Sequence, residues 1–260
     1  MYKITINLDP RMVRAIYIEG VIGAGKSTLC KILTEEYNTQ GFNVVLITEP
    51  VDEWIKLGSL KEFYEDMQSK AFEFQMTTFI TRINKIIRAL ADKSLEAAKD
   101  GISVPDDTLF IIERSIFSDR YFFAENLVED GMISAEKYEL YKTWWNLWEK
   151  FVNFSKSGFI YLKPSLTECM DRYTDRGRKD ENVPTEYQQR LIDKHNAMFP
   201  GESGVTSVHT TNNGTGITKK EMEYLVVEDD GDFRVAGPVR DEILNKINTW
   251  ILEKNFLSHV

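Results

Sequence analysis

Three glycines, a lysine and a hydroxyl stand at fixed spacing in Gly20-Val-Ile-Gly23-Ala24-Gly25-Lys26-Ser27. Glycines allow backbone N–H groups to wrap an anion closely, and a helix starting here turns its positive end on the same point. This is the spacing of a phosphate-binding P-loop, in which Lys26 reaches the β- and γ-phosphates of a nucleotide and Ser27 holds Mg²⁺. Thr28 lies beside that site, whereas Cys30 reads as a small packed residue. The flanks agree with the motif: a β-rich run over 13–18 precedes it and a helical pattern over 24–37 follows.

Three more groups carry chemistry. Glu49 ends a second β-rich run, 43–48, where a carboxylate can take the proton of an attacking hydroxyl; a helix-capping role before Pro50 is the plainer alternative. Glu113-Arg114-Ser115 ends a third run, 108–112; Glu113 can bind magnesium through water and Arg114 can steady transferred charge. Arg172 and Arg176 fall one helical turn apart, with Arg178 just beyond. The plain reading is a solvated basic face partnered by Asp171, Asp175 and Asp180. In a chain with 32 basic and 41 acidic residues, a lid that grips phosphate suits the cluster better. Phosphoryl transfer from a nucleoside triphosphate is the chemistry these groups share. No N-K-x-D guanine signature follows, which argues against a GTPase.

Further apolar β-runs cover 158–162 and 224–227, and they are continuous rather than alternating, as in parallel strands buried on both faces. Helical patterns cover 69–99, stopping at Asp100-Gly101, then 134–154 and 241–254, and Ser165 with Glu168 forms a capping box. Strands alternating with helices predict an α/β fold: one domain over 1–260, of P-loop NTPase type, with a five-stranded parallel sheet flanked by helices. Residues 172–182 form its Arg-rich lid. The Gly-, Ser- and Asn-rich stretch over about 200–222 reads as an irregular surface insertion, and Asp229-Asp230-Gly231-Asp232 as a solvated turn.

The formal charge of −9 argues against nucleic-acid or anionic-membrane binding. No apolar run approaches the roughly 20 residues of a membrane span. Met1 to Pro10 carries no targeting pattern, and two cysteines make neither a disulfide scaffold nor a zinc site. A cytoplasmic setting is expected.

The strings GVIGAGKST, EPVDEW, FEFQMTTFITR, ERSIFSDRYFF and RYTDRGRKDENVP, in this order, resemble those of the deoxycytidine/deoxyguanosine kinase family of deoxynucleoside kinases. The resemblance covers about 16–198 and returns at 224–233. It implies a five-stranded parallel sheet, a homodimer, and transfer of the γ-phosphate of ATP to the 5′-hydroxyl of a deoxynucleoside. By position it implies Glu49 as the base, Arg114 beside base and phosphates, and Glu113 as the magnesium-side acid. Tyr64 and Glu181 would hold the sugar 3′-hydroxyl, and Gln75 would read the nucleobase edge. Ile22, Trp54, Phe74 and Phe123 would wall the nucleoside. Arg172, Arg176 and Arg178 match the lid arginines, and Asp232-Phe233 lies where the family covers the donor base. A thymidylate-type monophosphate kinase is the nearest rival, but there an Arg precedes the Glu-Pro pair, where this chain has Thr48. A non-enzymatic relative would be expected to lose Lys26 or Glu49, and both are present.

Gln75, Thr78 and Arg82 sit at helical offsets that put them on one face, and Asp119 can pair with Arg82 across the pocket. In the resembled family such an Arg and Asp accompany deoxycytidine and purine acceptors, so thymidine is expected to be disfavoured. Thr78 departs from the small Ala of some relatives and narrows the pocket. The aromatic helix with Tyr138, Tyr141, Trp144, Trp145 and Trp148 is either core or a dimer face shared with 69–99. The family's dimers favour the second.

Overall fold

A computed structural model describes residues 13–99, 108–152, 154, 156–178, 181–212, 216–228 and 231–257. Met1 to Pro10, the helix stop at Asp100-Gly101, Asp180 and the Asp229-Asp230 half of the acidic turn lie outside the described residues.

The sheet has six strands in the order β2-β3-β1-β4-β6-β5: β1 (Arg14–Glu19), β2 (Val44–Ile47), β3 (Leu109–Glu113), β4 (Lys156–Leu162), β5 (Ser203–Asn212) and β6 (Gly216–Val227). The five expected strands are all present and run parallel, and β5 adds an antiparallel edge to β6. β1 and β3 are apolar and buried almost throughout, because helices cover both faces of the sheet. Helices α1 (Lys26–Thr39), α4 (Met67–Lys99), α7 (Ala135–Val152), α8 (Leu166–Arg176), α9 (Thr185–Met198) and α10 (Pro238–Glu253) make the two outer layers. Shorter helices α2 (Val51–Lys56), α3 (Ser59–Glu65), α5 (Ile116–Ser118) and α6 (Glu125–Glu129) surround the strand ends.

The irregular insertion expected over 200–222 is corrected here. Most of it is the β5–β6 hairpin, paired from Ser203↔Leu225 to Asn212↔Gly216. Val208 is buried and Val205 is 54% exposed, so the strand alternates, as an edge strand with one covered face does. Its polar composition disguised that alternation, although Val205, Thr206, Val208, Thr210 and Thr211 are β-branched.

Register sets the site. Ile18 pairs with Glu113 and Glu19 with Tyr161, while Ile47 pairs with Ile112. The turns after β1, β2 and β3 therefore open side by side at one edge, where α/β sheets bind ligands. None of the described helices is long and apolar enough to cross a membrane.

Candidate active site

The loop between β1 and α1 owes its path to glycine. Gly23 (φ 83°) and Gly25 (φ 92°) take the left-handed conformation. A Cβ on Gly23 would fall 2.1 Å from the Cys169 carbonyl oxygen, and one on Gly25 would fall 2.7 Å from the Phe233 ring. Gly20 and Ala24 contribute backbone to the turn and do not line the cleft. Lys26 opens α1 and folds back, its Nζ donating to the Val21 carbonyl at 2.8 Å. Burial, reinforced by Arg114, brings the Lys26 ammonium down to about 8, against the opposing pull of Glu49 and Glu113.

Glu113 ties this loop to the next strand end. It accepts from the Ser27 hydroxyl at 2.5 Å and from the Glu49 backbone N–H at 3.2 Å. Arg114 follows at φ 63°, an unusual left-handed conformation for an arginine and a mark of a backbone constrained by its surroundings. Its N–H bonds the Ile18 carbonyl at 3.0 Å, and its guanidinium lies over the Phe123 ring. Ser115 then caps α5 through a reciprocal bond with Ser118, and its N–H donates to the buried Glu19.

A chain of charge crosses the cleft. Glu49 accepts from Arg82 Nη2 at 2.6 Å and from Arg114 Nε at 3.2 Å. Arg82 Nη1 pairs with Asp119, joining the helix α4 to the π-helical turn Asp119–Ala124. Asp119 also accepts from Gln75 Nε2 at 2.6 Å, Tyr141 OH at 2.8 Å and Thr78 Oγ1 at 3.3 Å. Gln75, Thr78 and Arg82 thus share one buried face, and all three reach Asp119. Burial pushes the Glu49 carboxyl up, but Arg114, Arg82 and Lys26 outweigh it and hold the group down at about 2. Burial would likewise lower the Arg82 guanidinium, yet Asp119 and Glu49 raise it. Glu49 thus stays charged, whereas burial raises the Asp119 carboxyl above its ordinary range against the opposing pull of Arg82, Tyr141 and Thr78.

Aromatic rings wall the other side. Phe63 and Phe74 stack at 4.5 Å, and Trp54 meets Phe74 edge-on while its Nε1 bonds Thr81 at 2.8 Å. Over the phosphate loop, Arg172 Nη2 donates to Glu168 at 2.5 Å and to the Gly231 carbonyl at 2.7 Å, and its guanidinium faces the buried Phe233. Asp232 pairs with Arg234 at the surface, and that guanidinium holds its carboxyl at about 2. Arg176 and Arg178 converge on Glu181, at 2.5 and 3.4 Å. Arg172 thus pairs with Glu168, and Arg176 and Arg178 share Glu181.

These groups line one cleft of about 700 Å³: Ile22, Gly23, Gly25, Lys26, Ser27 and Thr28 on one side, and Glu49, Trp54, Tyr64, Phe74, Gln75, Thr78, Arg82, Glu113, Arg114, Asp119 and Phe123 on the other. Arg172, Arg176, Arg178, Glu181, Asp232 and Phe233 form its rim. Leu60, Phe63, Leu127 and Tyr187 also line it and were not singled out by sequence. Tyr141, part of the aromatic helix, reaches Asp119 as well; its spacing from Trp145, one turn on along the inward face, is the sign in the sequence that it is buried there.

A mostly parallel sheet with a phosphate loop after its first strand, and three arginines on and just after α8 lining the same cleft, defines a P-loop phosphotransferase. The deoxynucleoside kinase profile matches residues 16–252, and the chain belongs to that family. It is an ATP-dependent kinase acting on the 5′-hydroxyl of deoxynucleosides, an activity of nucleotide salvage. It is 33% identical to a probable deoxycytidine kinase of Fowlpox virus, over 92% of this chain and 89% of that one. To deoxycytidine kinase 1 of Xenopus laevis it is 27% identical, over 92% and 91%. A mitochondrial deoxyguanosine kinase of Xenopus laevis is 24% identical over 92% and 90%.

Proposed function

We propose that the cleft holds ATP on the P-loop and a neutral deoxynucleoside between Glu49 and Asp119, with Glu49 accepting the 5′-hydroxyl proton. The observation that carries this reading is the placement of Glu49. It sits between the P-loop lysine and the Gln75–Asp119 pocket, kept ionised by Arg82 and Arg114. Catalysis is then positioning plus charge stabilisation: Lys26, Arg114 and the lid arginines face the transferring phosphoryl group, and lid closure excludes water. Ser27 and Glu113 supply adjacent hard oxygens that suit an Mg²⁺ bound mainly by phosphates and water. That ion, when bound, neutralises charge developing on the phosphates.

The base preference follows from an amide. Gln75 Nε2 donates to both the Asp119 carboxylate and the Asp119 carbonyl, at 2.6 and 3.0 Å, which leaves its own carbonyl for the ligand. An acceptor there suits the amino group of cytosine or adenine and opposes the carbonyl of thymine. Deoxycytidine and deoxyadenosine therefore rank ahead of thymidine, in line with relatives named deoxycytidine kinases. Tyr64 and Glu181 serve the sugar 3′-hydroxyl, where a neutral group suits them better than a phosphate would.

The protein works as one domain and as a homodimer. Leu140, Trp144, Leu147 and Phe151 make one exposed apolar stripe on α7, which packs beside α4. Its two cysteines, Cys30 and Cys169, are both buried, and a cytoplasmic setting suits them. A coupled assay with Mg-ATP against each deoxynucleoside and each monophosphate tests the reading. Turnover of deoxycytidine or deoxyadenosine, with thymidine poor and monophosphates inert, is expected. Turnover of monophosphates alone would overturn it.

A further inference from the structure

Tyr187 lies in the first turn of α9 and is 3% exposed, yet it lines the cleft. Its hydroxyl has no hydrogen-bond partner among the described residues, and it is not among the polar atoms sealed from solvent. A phenol this deeply placed normally finds a partner, and one that finds none inside the protein is free to bond what enters the cleft. Gln75, Arg82 and Asp119, at similar depth in the cleft, are engaged with one another.

The mount of Tyr187 is rigid. Its neighbour Gln188 donates from Nε2 to the Ile22 carbonyl of the phosphate loop. Further along α9, Arg190 pairs with Asp130 at 2.6 Å and Lys194 with Glu129 at 2.7 Å. The surroundings of the phenol mark a boundary. Tyr64 and Glu181, both residues of the proposed sugar side, line the cleft together with Tyr187. Arg114 of the proposed phosphoryl-transfer side and Asp119 of the proposed base side line the same cleft. Burial pushes its ionisation above the ordinary phenol range, so the group meets a ligand as a neutral hydroxyl.

Resting on the nucleoside site proposed above, we propose that Tyr187 is a further acceptor-binding residue. Its hydroxyl donates to a neutral oxygen or nitrogen of the nucleoside where the sugar meets the base. Such a contact touches the acceptor alone and leaves the triphosphate unaffected.

Tyr187→Phe removes the hydroxyl and nothing else. Steady-state kinetics with deoxycytidine and ATP, and calorimetric titration of deoxycytidine, are to be run on both proteins. The variant is expected to raise KM and Kd for deoxycytidine by about 3- to 10-fold, the worth of one neutral hydrogen bond. KM for ATP and the melting temperature should stay unchanged. Equal constants for the two proteins would overturn the role of Tyr187 while leaving the kinase site intact. A matching rise in KM for ATP, or a variant that does not fold, would assign the hydroxyl to the structure and overturn the proposal as well. A wild-type protein that neither binds nor phosphorylates any deoxynucleoside would overturn the whole acceptor site, Tyr187 included.

Discussion

Glu49 is held ionised by two guanidiniums that outweigh its own burial, which would make the proposed base a well-positioned but weak one. That suits a loose transition state, in which the acceptor proton leaves late and orientation matters more than basicity. Glu49→Gln is expected to lower kcat by at least ~100-fold while deoxycytidine binding changes only a few-fold. Turnover surviving within a few-fold of wild type would remove Glu49 from the mechanism. Lys26 gives a pH signature. Its ammonium titrates near 8 in the free protein, below its ordinary 10.5, so it is charged below that point and neutral above it. ATP affinity measured by titration should hold up to about pH 7 and fall as pH rises through 8; a flat profile to pH 9.5 would contradict the assignment. For folding the sign is opposite. The unfolded chain holds the Lys26 proton more tightly, so this residue favours the folded state increasingly between about 8 and 10.5.

At the scale of elements, the phosphate loop is wedged between α8 and the 231–237 segment. Gly23 faces the backbone of Cys169, and Gly25 faces the Phe233 ring. A backbone carbonyl cannot give way as a flexible side chain can, so Gly23→Ala combines a steric conflict with an unfavourable φ. It is expected to lower the melting temperature by several degrees and to abolish ATP binding, read by thermal denaturation with and without Mg-ATP. A variant that melts like wild type and gains the same ATP stabilisation would contradict this account. The proposed lid is more loosely held. Arg176 and Arg178 are partly exposed and share a single carboxylate, Glu181, so they can exchange it for phosphate. The π-helical turn after α5 matters for a different reason: it brings both Asp119 and Phe123 to the cleft.

At the scale of the molecule, α7 has two faces. Tyr141, Trp145, Glu149 and Val152 turn inward, and Leu140, Trp144, Leu147 and Phe151 turn outward. The sequence reading set core against interface; the helix divides its aromatics between an inner face and an exposed one. Replacing Trp144 and Leu147 together by Glu should give a species near 30.1 kDa in light scattering, against twice that mass for wild type. A wild-type protein that is already monomeric would dismiss the dimer. An unchanged mass in the folded variant would move the interface elsewhere.

Local signals settled much of this protein. The P-loop is legible because its glycines, lysine and hydroxyl are contiguous, and β1 and β3 because strands buried on both faces are unbroken apolar runs. Glu49, Glu113 and Arg114 were legible because chemistry in such sheets gathers at strand ends. Contacts between residues far apart in the chain were not. The register of β1 with β3 brings Glu113 to Ser27, 86 positions away, and tertiary packing brings Tyr141 and Arg82 to Asp119. The hairpin at the sheet edge escaped because a strand covered on one face tolerates Ser, Thr and His where a central strand does not. Tyr187 escaped because a lone tyrosine in a helix carries no signal until the fold turns it into a cleft. Sequence determined the phosphate chemistry, which one loop can hold; the cleft proposed as the acceptor pocket, lined from α4, α9 and several strand-end turns, was decided by the tertiary structure.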